Sequence, residues 1–264
     1  MARRARLDAE LVRRGLARSR EQAAELISDG RVKVAGQVAT KAATGVEAGT
    51  PVVVLADDGP AYVSRGGHKL AGALEAFGYD PAGKRVLDAG ASTGGFTDVL
   101  LGRGARHVVA VDVGYGQLAW SLQTDERVTV VDRTNVRSLT LEQVGVPVDL
   151  VVADLSFIPL GLVLPALVGV GTPEVDLLPM VKPQFEVGKE RLPAGGVVRD
   201  PALRAEAVRQ VAAQAAELGL GVRAVTASPL PGPSGNVEFF LWLTRGAPPL
   251  AEEDLLRAVA EGPQ

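Results

Sequence analysis

With 264 residues, 47% of them hydrophobic, the chain can fold as one large domain or as two. The absence of cysteine excludes disulfides and thiolate metal sites, and two lone histidines argue against a histidine-based zinc site. The formal net charge of −3 hides +5 in residues 1–41 and −8 in the rest, so a basic, arginine-rich head on an acidic body suits a nucleic-acid-contacting module joined to a second domain, against the plainer alternative of a solvated helix face.

The opening Met-Ala-Arg-Arg is charged and has no apolar signal core, so secretion is not expected and the cytoplasm is. The period of 6–14 predicts a helix that stops at Gly15. Ser19-Arg20-Glu21-Gln22 has the form of a capping box and opens a second helix to about Ser28. Segments 31–34 and 37–39 flank Ala35-Gly36 as a hairpin, and 51–55 reads as a further strand. The run 56–60, with Gly59-Pro60, marks a boundary. The expected division is a small α+β domain over 1–59, a linker at 60–63 and a second domain over 64–264.

Ser64 is positioned to cap a helix that runs through Phe77 and ends at Gly78. Strand signals follow near 86–89, 107–112, 127–131, 148–153, 175–181, 221–227 and 236–243, with helices between most of them, the clearest at 201–218. This alternation predicts an α/β, Rossmann-like domain with a mostly parallel seven-stranded sheet covered on both faces. The uncharged run 155–173 is long enough to raise a membrane span, but Pro159, Pro165, Gly161, Gly169 and Gly171 interrupt it. A buried helix over the sheet is the expected structure there.

The strand at 86–89 runs into Gly90, Ala91, Ser92, Thr93, Gly94, Gly95 and Phe96, and an amphipathic segment follows at 97–103. Such a strand–loop–helix opening lets backbone approach a nucleotide-like ligand and offers free helix N–H groups. No Gly-Lys-Ser/Thr follows, so this is no P-loop, and the glycine spacing departs from the dinucleotide fingerprint. Asp112 ends the next strand 22 residues after Gly90, where an acid accepts ribose hydroxyls; a generic turn with a surface aspartate is the alternative. The departure from the dinucleotide pattern favours S-adenosylmethionine, which has no pyrophosphate.

Ligands of parallel sheets bind at the carboxyl ends of the strands. Asp154 follows the strand at 148–153, and Lys182 follows 175–181 and precedes Pro183. Glu238 is a lone carboxylate in a very apolar strand and calls for a cation partner. Lys69 lies on the helix before the first strand. Two lysines and two acids can thus meet in one cleft. Taken singly, each also fits a surface lysine or a structural ion pair; for Asp154 and Lys182, the strand-end position favours a functional role.

The chain resembles the TlyA-type (haemolysin A) ribosomal RNA 2′-O-methyltransferases, whose catalytic half is FtsJ-like and whose head is an S4 RNA-binding domain. The resemblance spans essentially the whole length. It rests on Arg-Leu-Asp-Ala-Glu-Leu-Val at 6–12, Ser-Arg-Gly-Gly-His-Lys-Leu at 64–70, Asp-Ala-Gly-Ala-Ser-Thr-Gly-Gly-Phe at 88–96, Asp-Val-Gly-Tyr-Gly-Gln-Leu at 112–118, Asp-Leu-Ser-Phe-Ile at 154–158, Val-Lys-Pro-Gln-Phe-Glu at 181–186 and Pro-Gly-Pro-Ser-Gly-Asn-Val-Glu at 231–238. It implies that Lys69, Asp154, Lys182 and Glu238 form the Lys-Asp-Lys-Glu tetrad of RNA 2′-O-methyltransferases. It implies S-adenosylmethionine contacts from Gly90, Ala91, Ser92, Thr93, Gly94, Gly95, Phe96 and Asp112, with Phe157 near the adenine and Ser234 near the methionine end. It further suggests residues 132–135 as a segment near the adenine. For RNA it implies Arg4, Arg6, Arg18, Arg20 and Lys41 on the head, extended by Arg65, Arg137 and Lys189. The implied substrates are cytidines of 16S rRNA and, in longer forms such as this one, 23S rRNA, reached by a monomer acting on 30S and 50S subunits. Position 62 departs from the family, with tyrosine where tryptophan is expected.

Two other function classes compete. A non-catalytic RNA-binding or assembly protein does not require all four tetrad residues, which are present. A membrane-lytic protein is opposed by the broken apolar run.

Overall fold

The computed structural model describes residues 4–17, 20–28, 30–55, 62–232 and 234–263. The chain divides into two compact units, residues 1–61 and 62–264.

In the first unit, β1 (Ala5–Arg6) leads directly into helix α1 (Leu7–Arg13), and α2 spans Arg20–Ser28. Strands β2 (Val32–Val34), β3 (Gln37–Val38), β4 (Gly45–Val46) and β5 (Val52–Val54) follow. The expected hairpin is β2–β3, and its turn residues Ala35 and Gly36 both have positive φ, the two-residue turn that matches strand twist. Strand β5 pairs with the other edge of β2. The pairing of β1 with β4 has no counterpart in the sequence reading, because two-residue strands leave no period to detect. Leu7, Leu11, Ala23, Ile27, Val32 and Val46 form one core. Ser19 of the expected capping box and the boundary at 56–60 lie outside the described residues.

The second unit begins with α3 (Arg65–Phe77), which ends at Gly78 in the left-handed conformation as its sequence predicts. Ser64 occupies the N-cap position with extended backbone, but its side chain makes no capping bond. Then come β6 (Arg85–Ala89), α4 (Gly95–Gly102), β7 (His107–Val111), α5 (Trp120–Gln123), β8 (Val128–Val131), α6 (Leu141–Val144), β9 (Val148–Ala153) and α7 (Leu164–Gly169). The chain continues with β10 (Gly171–Val181), α8 (Pro183–Glu186), α9 (Pro201–Glu217), β11 (Leu220–Ala227), β12 (Phe239–Arg245) and α10 (Glu252–Glu261).

The seven strands lie in the order β11-β12-β10-β9-β6-β7-β8, with β12 antiparallel to both neighbours and the other pairs parallel. Side chains alternate across the sheet: Val86, Leu150 and Val152 face one core with α3 and α4, while Leu87, Val151 and Ala153 face another with α7, α9 and α10. The direction of winding reverses between β6 and β9, which opens a crevice at their carboxyl ends.

Two expectations are corrected. The uncharged run 155–173 is not one buried helix: it is a loop, a 3₁₀ turn at Leu160–Leu162, the short α7 and the start of β10, because its prolines and glycines break any longer helix. Glu238 lies just before β12 rather than inside it. Among the described residues, no helix is long and apolar enough to cross a membrane.

Candidate active site

The loop after β6 is built by short-range bonds. The N–H groups of Gly90 and Ala91 donate to the Val111 carbonyl, which ties the loop to the end of β7. Asp112 accepts from the Ser92 N–H at 2.8 Å and the Gly114 N–H at 2.7 Å, so its carboxylate stands at the loop's rim. Gly90 has φ of +86°, and a Cβ there would lie 2.4 Å from the Asp154 carbonyl oxygen. Only glycine permits this approach. Gly94 and Gly95 open α4, whose leading N–H groups have no acceptor within the helix. Phe96 turns its ring into the core, 3% exposed, at 6.0 Å from Phe240.

Asp88, at the foot of this loop, is wholly buried. Its Oδ2 accepts from Thr97 Oγ1 at 2.7 Å, while Oδ1 has no partner. Burial pushes its carboxyl up to about 7.

The four residues of the expected tetrad form two ion pairs. Lys69 Nζ lies 2.5 Å from Glu238 Oε2, with side-chain exposures of 8% and 1%. Lys182 Nζ lies 2.6 Å from Asp154 Oδ1 and donates to Ser156 Oγ at 2.9 Å. Lys182 and Glu238 both line a cavity of about 840 Å³ together with Phe157, Phe185, Ser234 and Asn236. The strand ends explain this convergence: Asp154 follows β9, Lys182 follows β10, and Glu238 precedes the antiparallel β12 at the same sheet edge.

The residues expected around the cofactor separate into two groups. Gly90 to Gly95 and Asp112 stay with the β6–β7 loops, whereas Phe157 and Ser234 line the cavity beside Lys182. Phe157 is 90% exposed, has φ of +65°, and its ring lies 5.1 Å from that of Phe185. It belongs to no core. The segment 132–135 borders the other side: Asp132 accepts from the Gly116 N–H, and the Arg133 guanidinium stacks 4.1 Å from the centre of the Tyr115 ring.

The basic residues divide similarly. Arg4 is largely exposed beside Glu47, and Lys41 is exposed. Arg6 and Arg20 both bond Asp8. Arg18 lies outside the described residues. Arg65 reaches the Pro231 carbonyl at 3.3 Å, Arg137 is exposed, and Lys189 is exposed on the cavity wall. Tyr62 packs edge-on against His68 at 5.1 Å, so tyrosine keeps an aromatic contact with α3.

The sequence reading missed Ser156, Phe185, Glu186 and Asn236. Asn236 is buried, accepts the Val198 N–H and donates to the Gly196 carbonyl, and so fastens one cavity wall. Glu186 is 5% exposed; its Oε1 accepts the Leu160 N–H at 2.9 Å and its Oε2 has no partner. Burial raises its carboxyl to about 7. Phe185 and Glu186 sit within the 181–186 motif, directly after the strand-end lysine, and that position was the available signal.

Comparison with known proteins agrees with this geometry. An FtsJ-like methyltransferase model matches residues 62–245, and an S4 domain model matches residues 5–52. The 16S/23S rRNA (cytidine-2′-O)-methyltransferase TlyA of Mycobacterium tuberculosis (strain ATCC 25618 / H37Rv) is 63% identical over 268 residues, covering 100% of both chains. Hemolysin A of Brachyspira hyodysenteriae is 34% identical over 235 residues, 89% of this chain and 97% of its own. A solved structure from Streptococcus thermophilus, described as a hemolysin, matches with a TM-score of 0.78 at 34% identity, covering 99% of this chain and 96% of that one. The glycine loop, the paired lysines and acids, and these likenesses agree: the chain belongs to the FtsJ-like methyltransferase family, in the TlyA-type group that carries an S4 domain ahead of the catalytic fold.

Proposed function

We propose that the protein transfers a methyl group from S-adenosylmethionine to the ribose 2′-hydroxyl of cytidine in 16S rRNA and in 23S rRNA. The observation that carries this reading is the double position of Asp154. Its backbone packs on Gly90 of the glycine loop, and its carboxylate holds Lys182 on the cavity wall. A donor on the loop and an acceptor in the cavity therefore meet at one residue. The substrate assignment draws on the name of the relative that is 63% identical.

The loop fits S-adenosylmethionine. Gly90 lets the Asp154 backbone close on the loop, and the Asp112 carboxylate stands at the loop's rim as an acceptor suited to ribose hydroxyls. Gly90 to Gly95 would hold the methionine and ribose, with the Asp112 carboxylate on the ribose hydroxyls. When bound, S-adenosylmethionine supplies an electrophilic methyl group.

Lys182 has three N–H donors, and Asp154 and Ser156 take two of them. The third is available to the 2′-oxygen, where it orients the nucleophile and stabilises developing negative charge, while the hydroxyl proton would pass to solvent water as the new oxygen–methyl bond forms and the sulfur–methyl bond breaks. Asp154 fixes the lysine, and the Lys69–Glu238 pair holds the cavity wall and its field. In-line positioning of hydroxyl and methyl supplies much of the rate. Phe157 and Phe185, which line a cavity large enough for a nucleoside, would stack the base of a nucleotide drawn out of its helix. This reading moves Phe157 from the adenine of the donor to the base of the acceptor, and Ser234 with it.

Residues 1–59 would dock the ribosomal subunit through Arg4, Arg6, Arg18, Arg20 and Lys41, and Arg65, Arg137 and Lys189 would carry phosphate contacts to the cavity. The protein would act in the cytoplasm as a monomer on 30S and 50S subunits. The test is incubation with methyl-labelled S-adenosylmethionine and each purified subunit, followed by nucleoside mass spectrometry. The reading requires 2′-O-methylcytidine in both rRNAs; label on a base, or in neither RNA, contradicts it.

A further inference from the structure

Asp8 is 4% exposed although it is charged. Its Oδ1 accepts from Arg6 Nε at 3.1 Å and from the Ala9 N–H at 2.8 Å. Its Oδ2 accepts from Arg6 Nη2 and from Arg20 Nη2, each at 2.9 Å. Two guanidinium groups, one from β1 and one from the start of α2, thus converge on a single carboxylate. The bonds from Arg6 hold this carboxyl well below the usual carboxylate range, against its burial and with help from Arg20, so it is an anion at physiological pH.

The arginines themselves are not buried: their side chains are 52% and 59% exposed. Each spends only part of its five N–H donors on Asp8. Without the shared anion, the two cations would repel and swing apart on long side chains. With it, they stand side by side, net positive and open to solvent. A phosphodiester has one negative charge and two free oxygens, and planar guanidinium forks match such oxygens.

We infer that Asp8 is a positioning residue for RNA, holding Arg6 and Arg20 as a preformed receptor for one backbone phosphodiester. This rests on the reading of residues 1–59 as the RNA-docking unit. It yields an effect opposite in sign to simple electrostatics. Removing a negative charge from an RNA-binding face strengthens binding by charge alone. If Asp8 organises the receptor, its removal weakens binding, because two long side chains must then be ordered at the moment of contact.

The test measures affinity of the full-length protein for purified 30S and 50S subunits over a salt series. The variants are Asp8→Asn, Asp8→Glu, Arg6→Ala with Arg20→Ala, and the triple variant carrying Asp8→Asn on that pair. The inference predicts that Asp8→Asn and Asp8→Glu each weaken binding about tenfold, and that Asp8→Asn adds nothing once both arginines are gone. Asp8→Glu keeps the charge and shifts only geometry, so its loss, with an unchanged circular-dichroism melt, is not a loss of fold; if Asp8→Asn unfolds the unit, Asp8→Glu decides. Unchanged or tighter binding by these variants, while the arginine pair variant still weakens it, overturns the inference and leaves the docking role intact. Wild-type affinity in the arginine pair variant overturns that role and the inference with it.

Discussion

Gly90 and Asp154 are in backbone contact: a Cβ on the glycine would lie 2.4 Å from the carbonyl oxygen of the aspartate. The two residues directly follow adjacent parallel strands, β6 and β9, at the point where the winding of the sheet reverses. This contact joins the glycine loop to the Asp154–Lys182 pair. Gly90→Ala must therefore move the loop, and it also places a side chain at φ of +86°. The variant should lose at least about 2 kcal/mol of stability and bind S-adenosylmethionine weakly. Thermal melts with calorimetric titration check both; wild-type affinity would show that the loop does not need this approach.

The Lys69–Glu238 pair is buried on both sides. Removing one partner strands a charge, at a cost of about 3–5 kcal/mol. Lys69→Met and Glu238→Gln should each lower the melting temperature, and the double variant should recover much of it. Methyl transfer should stay low in all three, because the field around the cavity is lost whether or not the fold recovers.

Glu186 and Asp88 give a pH signature. Each carboxyl is raised to about 7 by burial, from ordinary values of 4.5 and 3.8. The folded state therefore binds more protons than the unfolded state between roughly pH 4 and 7. Stability from these protons is full below the ordinary values and lost as pH rises through about 7. Urea unfolding at pH 5 and pH 8 should show the fall, and Glu186→Gln should remove its share, up to roughly 3 kcal/mol. An identical slope in the variant would assign the effect elsewhere.

Phe157 is 90% exposed, so its truncation should leave stability unchanged. As a stacking platform for the target base it should contribute about 1–3 kcal/mol. Phe157→Ala should thus lower kcat/KM for ribosomal subunits about 10- to 100-fold with an unaltered melt and unaltered S-adenosylmethionine affinity. A loss of cofactor affinity instead would return Phe157 to the adenine.

The sheet was legible because its strands announce themselves: uninterrupted apolar runs such as 150–153 match a strand buried on both faces, and Asp154 and Lys182 follow from where those runs stop. The β1–β4 pairing was not legible, since two residues carry no period. Nor was the 155–173 run, where local breakers overrule an apolar composition that alone suggests a helix. Phe157 shows a different limit. An aromatic after a strand end reads equally as core or contact, and only its positive φ and exposure separate the two. The partner of Glu238 could be demanded from its apolar surroundings, but its identity as Lys69, 169 residues away, needed the fold.

The central step is the action of Lys182 on the ribose oxygen. The direct measurement is single-turnover methyl transfer to 30S and 50S subunits by wild type and Lys182→Met, with S-adenosylmethionine affinity titrated separately. Lys182→Met should keep wild-type cofactor affinity and lose at least about 100-fold in rate, with 2′-O-methylcytidine the product of the wild-type enzyme. Transfer at the wild-type rate by Lys182→Met would contradict that step.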